Sequence, residues 1–253
     1  MTLRLPAPVL LVLLVAVTAL LVSLGVWQLQ RNDWKNGLVE QRNARTDAAP
    51  LTFEAARALE PDNADYHRLA DAGEWDDDSV FVIANRARFG TKGEELVVPL
   101  LLAPGGPAVL VNRGWYPDGK RAEAEEALDA RRDGIAGLIS VHTRTGQQTA
   151  AGTWTALDPV SMGATLPYDV LPWIVIEGGV TAANANPDGE LPVQRFAAFA
   201  NTTPHMEYGL TWFGLAVALI SVAAIRFWPG RTQRDPPDPK TRPPVPEDEG
   251  GRV

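Results

Sequence analysis

Two long uncharged runs near the ends of the sequence constrain what this chain can fold into more than any other feature. The first covers the 26 residues that follow Arg4, and the second covers the 18 residues that begin at Tyr208. About 20 apolar residues in a helix cross the hydrocarbon core of a bilayer. The runs therefore predict two transmembrane helices with a globular domain between them. The first helix is predicted at 7–28, the globular domain at 29–204 and the second helix at 205–227.

Basic residues next to these runs predict how the chain crosses the membrane. The first run is too long for a cleaved signal peptide, whose apolar region spans about 7–15 residues. Basic residues near a span favour the cytoplasmic face. They are Arg4 before the first run, and Arg226, Arg231, Arg234, Lys240 and Arg242 after the second. We therefore expect cytoplasmic segments at 1–6 and 228–253, the latter a disordered, proline-rich tail. This pattern fits a multi-pass protein of a bacterial plasma membrane with an extracytoplasmic central domain.

The net charge of −8 and the absence of cysteine exclude several classes of function. No basic stripe is available to neutralise phosphates, so nucleic acid is not an expected partner. A chain without cysteine forms no disulfide, no thiolate metal site and no covalent c-type haem attachment. The sequence also lacks nucleophile-elbow, zinc-protease, phosphate-loop and dinucleotide motifs. We therefore do not expect an enzyme.

The central segment changes from a helical to a strand period after Pro61. Short runs rich in β-formers alternate there with Gly, Pro and Asp, which is typical of strands and turns. The predicted strands are 66–74, 79–85, 94–102, 108–113, 135–143 and 172–177, and the predicted helices are 53–59 and 121–132. The expected fold class is an α+β membrane protein, with two transmembrane helices flanking a mainly antiparallel β-sheet in an extracytoplasmic domain.

Each predicted membrane helix carries a polar and aromatic face at its outer end. The residues on these faces are Trp27, Gln28 and Arg31 on the first helix, and His205, Tyr208 and Trp212 on the second. A belt of aromatic residues at the headgroup level explains the tryptophans and the tyrosine equally well. It explains Gln28 and His205 less readily. A neutral imidazole at an apolar boundary can donate a nitrogen to iron, so His205 is the candidate metal ligand.

Three motifs, in this order, resemble the signatures of the surfeit-locus (Surf/Shy-type) cytochrome c oxidase assembly factors. They are Gly25-Val26-Trp27-Gln28-Leu29-Gln30-Arg31, Val109-Leu110-Val111-Asn112-Arg113-Gly114-Trp115-Tyr116-Pro117 and His205-Met206-Glu207-Tyr208-Gly209-Leu210-Thr211-Trp212-Phe213-Gly214-Leu215. The resemblance implies a non-catalytic factor that binds haem a and helps to insert it into the large subunit of a haem–copper oxidase. It also implies that His205 is the iron ligand. Arginine is common in the family at the position of His67, so His67 is expected to be incidental.

The resemblance also suggests how the two polar-aromatic faces would act together. Haem a is then a transiently bound cargo in a groove between the helices. Aromatic members of the faces pack on the edge of the macrocycle, and Arg31 or Lys35 pairs with its propionates. The expected partners are the lipid bilayer and the oxidase large subunit, with haem a synthase as a candidate donor.

Two other accounts of the function stay open. In the first, the chain is a scaffold that stabilises assembly intermediates through its extracytoplasmic domain and never binds haem. The segment Asn112-Arg113-Gly114-Trp115 is then a partner-docking turn, and His205 is a packing residue. In the second, the chain is a membrane-tethered hydrolase or a generic binding module. The lack of a nucleophile–base arrangement disfavours this second account.

Overall fold

A helix of 41 residues, α1 (Ala7–Asp47), is the longest element of the computed structural model. The structure describes residues 6–103, 105–129, 134–141, 144–181, 191–197 and 199–227. Helix α1 continues well past the predicted membrane segment because residues 29–47 contain no proline, and it ends shortly before Pro50. Residues 1–5 and the predicted tail at 228–253 lie outside the described residues.

The second long apolar helix is α6 (His205–Phe227). Both α1 and α6 are long and apolar enough to cross a bilayer, with mean hydropathies of 3.0 and 1.9 over their most apolar 18 residues. Only 6% and 11% of those windows are buried. A core helix of a soluble protein would bury most of such a window. Both helices therefore present their apolar side chains outwards, as helices that face lipid do.

The chain divides into two compact units. One is the globular unit, Trp34–Thr202, which includes the last turns of α1. The other is the helix-pair unit, whose described residues are 6–33 and 203–227.

The globular unit is built from short helices and nine described strands. The strands are β1 (Arg68–Asp71), β2 (Glu74–Trp75), β3 (Phe81–Arg88), β4 (Thr91–Leu101), β5 (Ala108–Pro117), β6 (Ile135–Ser140), β7 (Val170–Glu177), β8 (Gly179–Thr181) and β9 (Arg195–Ala197). The helices are α2 (Phe53–Arg57), α3 (Pro61–Ala64), α4 (Arg121–Asp129) and α5 (Pro159–Gly163). A 3-10 turn covers Asp77–Ser79, and the Asp76 carboxylate accepts a hydrogen bond from the Asp78 backbone N–H.

Seven strands form one sheet in the order β1-β6-β7-β5-β4-β2, with β3 also paired to β4. Strands β5 and β7, at its centre, run parallel, as do β8 and β9 in a separate two-stranded sheet. The remaining pairs are antiparallel. The sheet is therefore mixed, and the prediction of a mainly antiparallel sheet was wrong. The reason is that β5 connects to β7 through α4, β6 and α5, and parallel neighbours need such a crossover.

Both faces of the sheet are covered, which explains the apolar character of its central strands. On one face, Val109 and Val111 pack with Trp173 beneath α2 and α3. On the other, Leu110 and Ile174 pack with Trp154, Leu157 and Met162. Successive residues of a strand point to opposite faces, so a strand that is apolar throughout is buried on both sides. Strand β5 is buried on both sides, with nine of its ten residues buried, including the polar Asn112 and the charged Arg113.

Candidate functional site

Helix α6 starts at the predicted iron ligand. The Pro204 carbonyl accepts a hydrogen bond from Tyr208 N at 3.2 Å, and His205 N donates to the Thr203 carbonyl at 2.8 Å. Pro204 therefore occupies the cap position. His205 is the first residue of the helix, in the opening turn where the sequence had placed it.

Within the helix-pair unit, His205 is bonded to Gln28 of α1. The His205 ring nitrogen Nδ1 lies 2.8 Å from Gln28 Oε1, although the two residues are 177 positions apart. His205 is only 8% exposed. The contact joins two residues that the sequence had assigned to one site from opposite ends of the chain.

Glycines allow the two helices to approach closely beside this contact. A Cβ on Gly25 would lie 2.7 Å from the ring of Phe213, and a Cβ on Gly209 would lie 3.5 Å from the Gly25 carbonyl oxygen. Gly25 and Gly209 are both buried, one turn from Gln28 and His205 respectively. Small residues at such positions let membrane helices pack at short backbone distances. They bring the Gln28 amide within reach of the imidazole.

The other predicted site residues lie on the surface of the same unit and are more exposed than His205. Trp27 and Tyr208 are 53% and 52% exposed, so their rings are not enclosed by the helix pair. Arg31 is exposed and Trp212 is half-buried. The structure thus brings His205 and Gln28 together and leaves the other four as flanking surface.

Gly25, Gly209 and Phe213 lie inside the sequence motifs, but no role was predicted for them. The contact between the helices could have been predicted from the glycines within each apolar helix. Glycine lowers helix propensity, and in membrane helices it is common where two helices touch. Gly214 lacks such a contact, because a Cβ added there would have no atom within 4 Å. Sequence alone does not separate Gly209 from Gly214.

The second motif forms the interior of the globular unit and is not a turn. Asn112, Arg113 and Trp115 lie in β5 and are 5%, 3% and 4% exposed. Gly114 adopts φ +124°, and a Cβ there would lie 2.8 Å from the Val193 carbonyl oxygen. This conformation and this close approach require glycine. The predicted strand at 108–113 therefore extends through this segment, and the partner-docking turn that the scaffold account would place at Asn112-Arg113-Gly114-Trp115 does not fit it.

The one charged residue of this motif, Arg113, is neutralised inside the unit. Arg113 Nε lies 2.5 Å from Glu177 Oε2, and its guanidinium carbon lies 3.9 Å from the centroid of the Trp75 ring. Gln194 Nε2 also donates to Glu177 Oε2 at 2.9 Å. Buried charges persist where they are paired and hydrogen-bonded in this way. These residues therefore form a structural cluster within the fold.

A multidentate metal site requires several donor side chains close together among the described residues. Among those residues, no group of three or more His, Asp or Glu side chains is placed to hold an ion. His67 belongs to the globular unit, where burial and then the charge of Arg45 lower the pKa of its ring. A lone imidazole such as that of His205 suits a metal that arrives with most of its ligands already in place, as haem iron does.

Comparison with known proteins places the chain in a family. The SURF1 family profile matches residues 15–217. A SURF1-like protein of Rickettsia felis is 29% identical over 223 residues, which cover 85% of this chain and 95% of the relative. A SURF1-like protein of Dictyostelium discoideum is 24% identical over 245 residues, covering 79% and 89%. Surfeit locus protein 1 of Xenopus tropicalis is 24% identical over 229 residues, covering 81% and 72%.

The matched region contains all three motifs on which the sequence resemblance rested. The two apolar helices and the rickettsial relatives are consistent with a bacterial membrane protein. The expectation of a non-enzyme is confirmed by the family, because its members assemble cytochrome oxidase and are not enzymes. The chain therefore belongs to the SURF1 family, as an assembly factor for cytochrome oxidase.

Proposed function

We propose that this assembly factor binds haem a at the outer end of its two membrane helices and delivers it to the large subunit of a haem–copper oxidase. The observation that carries the proposal is the buried His205 imidazole at the first residue of α6, hydrogen-bonded to Gln28 of α1. One ring nitrogen is held by the protein, and the other has the chemistry of an iron donor. A haem-binding site therefore needs no further protein ligand on this side of the iron.

The surroundings of His205 suit a flat, largely apolar macrocycle. Trp27 and Tyr208 expose about half of their surface and can pack against its edge. Arg31 is exposed on the same helix as Gln28, and a guanidinium pairs well with a propionate. The apolar surfaces of α1 and α6 offer the isoprenoid tail a lipid-like environment. Haem iron, when bound, supplies a site for one axial imidazole nitrogen.

Binding requires the His205 ring to become more accessible than it is in the helix pair. His205 as a whole is 8% exposed, which is too little for a planar macrocycle to reach its ring directly. We propose that the outer turns of α1 and α6 separate slightly when haem a enters, with haem a synthase as the donor.

The topology that goes with this function has both termini in the cytoplasm and the globular unit outside the plasma membrane. The basic residues around Arg226 support it through the positive-inside rule. Haem would then be received and released at the outer leaflet.

Spectral titration of the purified full chain with haem a in detergent tests the proposal. The wild type is expected to bind one haem a with a histidine-ligated spectrum, and His205→Ala is expected to lose that spectrum. His67→Ala is the matched control, because His67 lies in the globular unit, and it is expected to bind as the wild type does. Equal spectra for wild type and His205→Ala would remove His205 as the ligand. No binding by the wild type would favour the scaffold account.

A further inference from the structure

Gln28 and His205 form a hydrogen bond whose direction fixes the chemistry of the imidazole. We propose that Gln28 is a positioning residue that holds His205 as the Nδ1–H tautomer, so that Nε2 is the nitrogen able to bind a metal. The metal-binding half of this inference rests on the proposed function, whereas the tautomer is a property of the protein without haem. The contact is 2.8 Å long and joins Nδ1 to the amide oxygen Oε1.

The direction of the bond follows from the donors and acceptors of the two groups. An amide oxygen only accepts hydrogen bonds. The hydrogen of this bond must therefore be carried by Nδ1 of His205. A neutral imidazole has one N–H, and Nε2 is then the nitrogen with the lone pair. Metal-binding histidines commonly donate their second nitrogen to an oxygen in this way, which fixes both tautomer and ring orientation. Gln28 therefore prepares His205 for ligation before any metal arrives.

The helices approach closely beside the pair. A Cβ at Gly209 would lie 3.6 Å from Gln28 Cβ and 3.4 Å from Leu29 Cδ2. Gly209 is one turn after His205 on α6, so the backbones are close where the amide meets the ring. The close approach thus holds the imidazole in one orientation.

A neutral amide at position 28 also suits a histidine ligand that must release the haem it binds. A carboxylate partner would increase the basicity of the imidazole and strengthen its bond to iron. It would also place a charge between two apolar helices, where desolvation is costly. Glutamine orients the ring without either effect. We therefore expect Gln28→Glu to preserve the tautomer and to slow the release of haem a.

Nitrogen NMR of the full chain, labelled with ¹⁵N-histidine and kept free of haem, tests the tautomer directly. The chain has three histidines, and the His205 signals are those that disappear in His205→Ala. The wild type is expected to show a protonated Nδ1 and an unprotonated Nε2. Gln28→Met, which keeps the length of the side chain without its acceptor, is expected to show a mixture of both tautomers. Gln28→Glu is expected to restore the single tautomer.

Gln30→Met is the matched control, because Gln30 lies on an exposed position of the same helix and should leave the His205 signals unchanged. A protonated Nε2 in the wild type, or the same tautomer in wild type and Gln28→Met, would overturn the inference. Thermal unfolding of each variant checks that the helices remain folded. If the tautomer is as expected but haem a does not bind, the proposed function fails while the tautomer assignment stands. If haem a binds to a protein with protonated Nε2, the inference fails alone.

Discussion

At the scale of single residues, the buried ion pair between Arg113 and Glu177 makes the globular unit sensitive to the loss of either partner. Their side chains are 3% and 10% exposed, and Trp75 and Gln194 complete the contacts around them. Removing one member of a buried pair strands the other charge, which costs about 3–5 kcal/mol. An exposed pair of the same chemistry contributes about 1 kcal/mol or less.

We expect Arg113→Met to lower the free energy of unfolding by about 3–5 kcal/mol, because Glu177 remains as an uncompensated buried charge. Chemical denaturation of the full chain in detergent measures this loss. The control is Arg121→Ala, which breaks an exposed i,i+4 pair with Glu125 and should change the free energy by less than about 1 kcal/mol. Adding Glu177→Leu to Arg113→Met should recover part of the loss. Similar unfolding curves for the two single variants would contradict this role.

Asp158 gives the globular unit a defined response to acid. Its burial acts to raise the pKa of the carboxyl, but hydrogen bonds from Gly146, Ser161 and Val160 outweigh burial and lower that pKa below its ordinary value of 3.8. A lowered pKa means that the carboxylate stabilises the fold above about pH 3.8, and that this contribution is lost as the pH falls through the lower native value.

We expect the stability difference between wild type and Asp158→Asn to be largest near neutral pH and to shrink below pH 3.8. Asparagine keeps one acceptor for the cap of α5 but has no carboxylate for the Gly146 N–H. Free energies of unfolding measured from pH 6 to pH 3 give the difference. A constant difference across that range would mean that the ionised carboxylate contributes nothing. Asp158→Ala, which also loses the cap of α5, should be less stable than Asp158→Asn by about 0.5–2 kcal/mol at every pH.

At the scale of elements, the pairing of α1 with α6 depends on Gly25, whereas a Cβ at Gly209 would make ordinary contacts at 3.4 Å or more. A Cβ at Gly25 would meet the Phe213 ring at 2.7 Å, whereas Gly214 has no atom within 4 Å of such a position. Gly25→Leu is therefore expected to separate the helices, and Gly214→Leu is expected to leave them paired. The chain has no cysteine of its own, so a cysteine pair introduced at Leu29 and Gly209 reports the distance by cross-linking.

We expect Gly25→Leu to reduce this cross-linking at least tenfold and Gly214→Leu to leave it unchanged. The same variant should weaken the Gln28–His205 bond, because Gln28 lies one turn from Gly25. Efficient cross-linking in Gly25→Leu would show that the Phe213 ring moves aside and that the glycine is not required.

The sequence predicted those elements whose pattern is local. Apolar runs located α1 and α6, and short β-rich runs located most strands of the globular unit. The parallel pairing of β5 and β7 was missed because a strand's own residues do not say which neighbour it takes. The predicted strand stopped at residue 113, before Gly114, because the constraint on Gly114 comes from Val193, which is distant in sequence. His205 and Gln28 were both assigned to the site, but their direct bond depends on how the helices pack.

At the scale of the whole molecule, the proposed topology joins the two units into one function. The proposal of cytoplasmic ends and an extracytoplasmic globular unit rests on the basic residues that flank the apolar helices. We expect alkaline phosphatase fused after residue 120 to be active and a cytoplasmic reporter at the same place to be inactive. Fusions after residue 240 should give the reverse result. Cytoplasmic activity at residue 120 would overturn the topology and, with it, delivery of haem at the outer leaflet.

The central claim is that the helix pair binds haem a through His205. The most direct measurement is the absorption spectrum of the full chain purified from cells that make haem a. The account predicts that the wild type carries haem a, that His205→Ala is colourless, and that His67→Ala keeps the wild-type spectrum. A colourless wild type from cells that contain haem a, or a coloured His205→Ala, would contradict it.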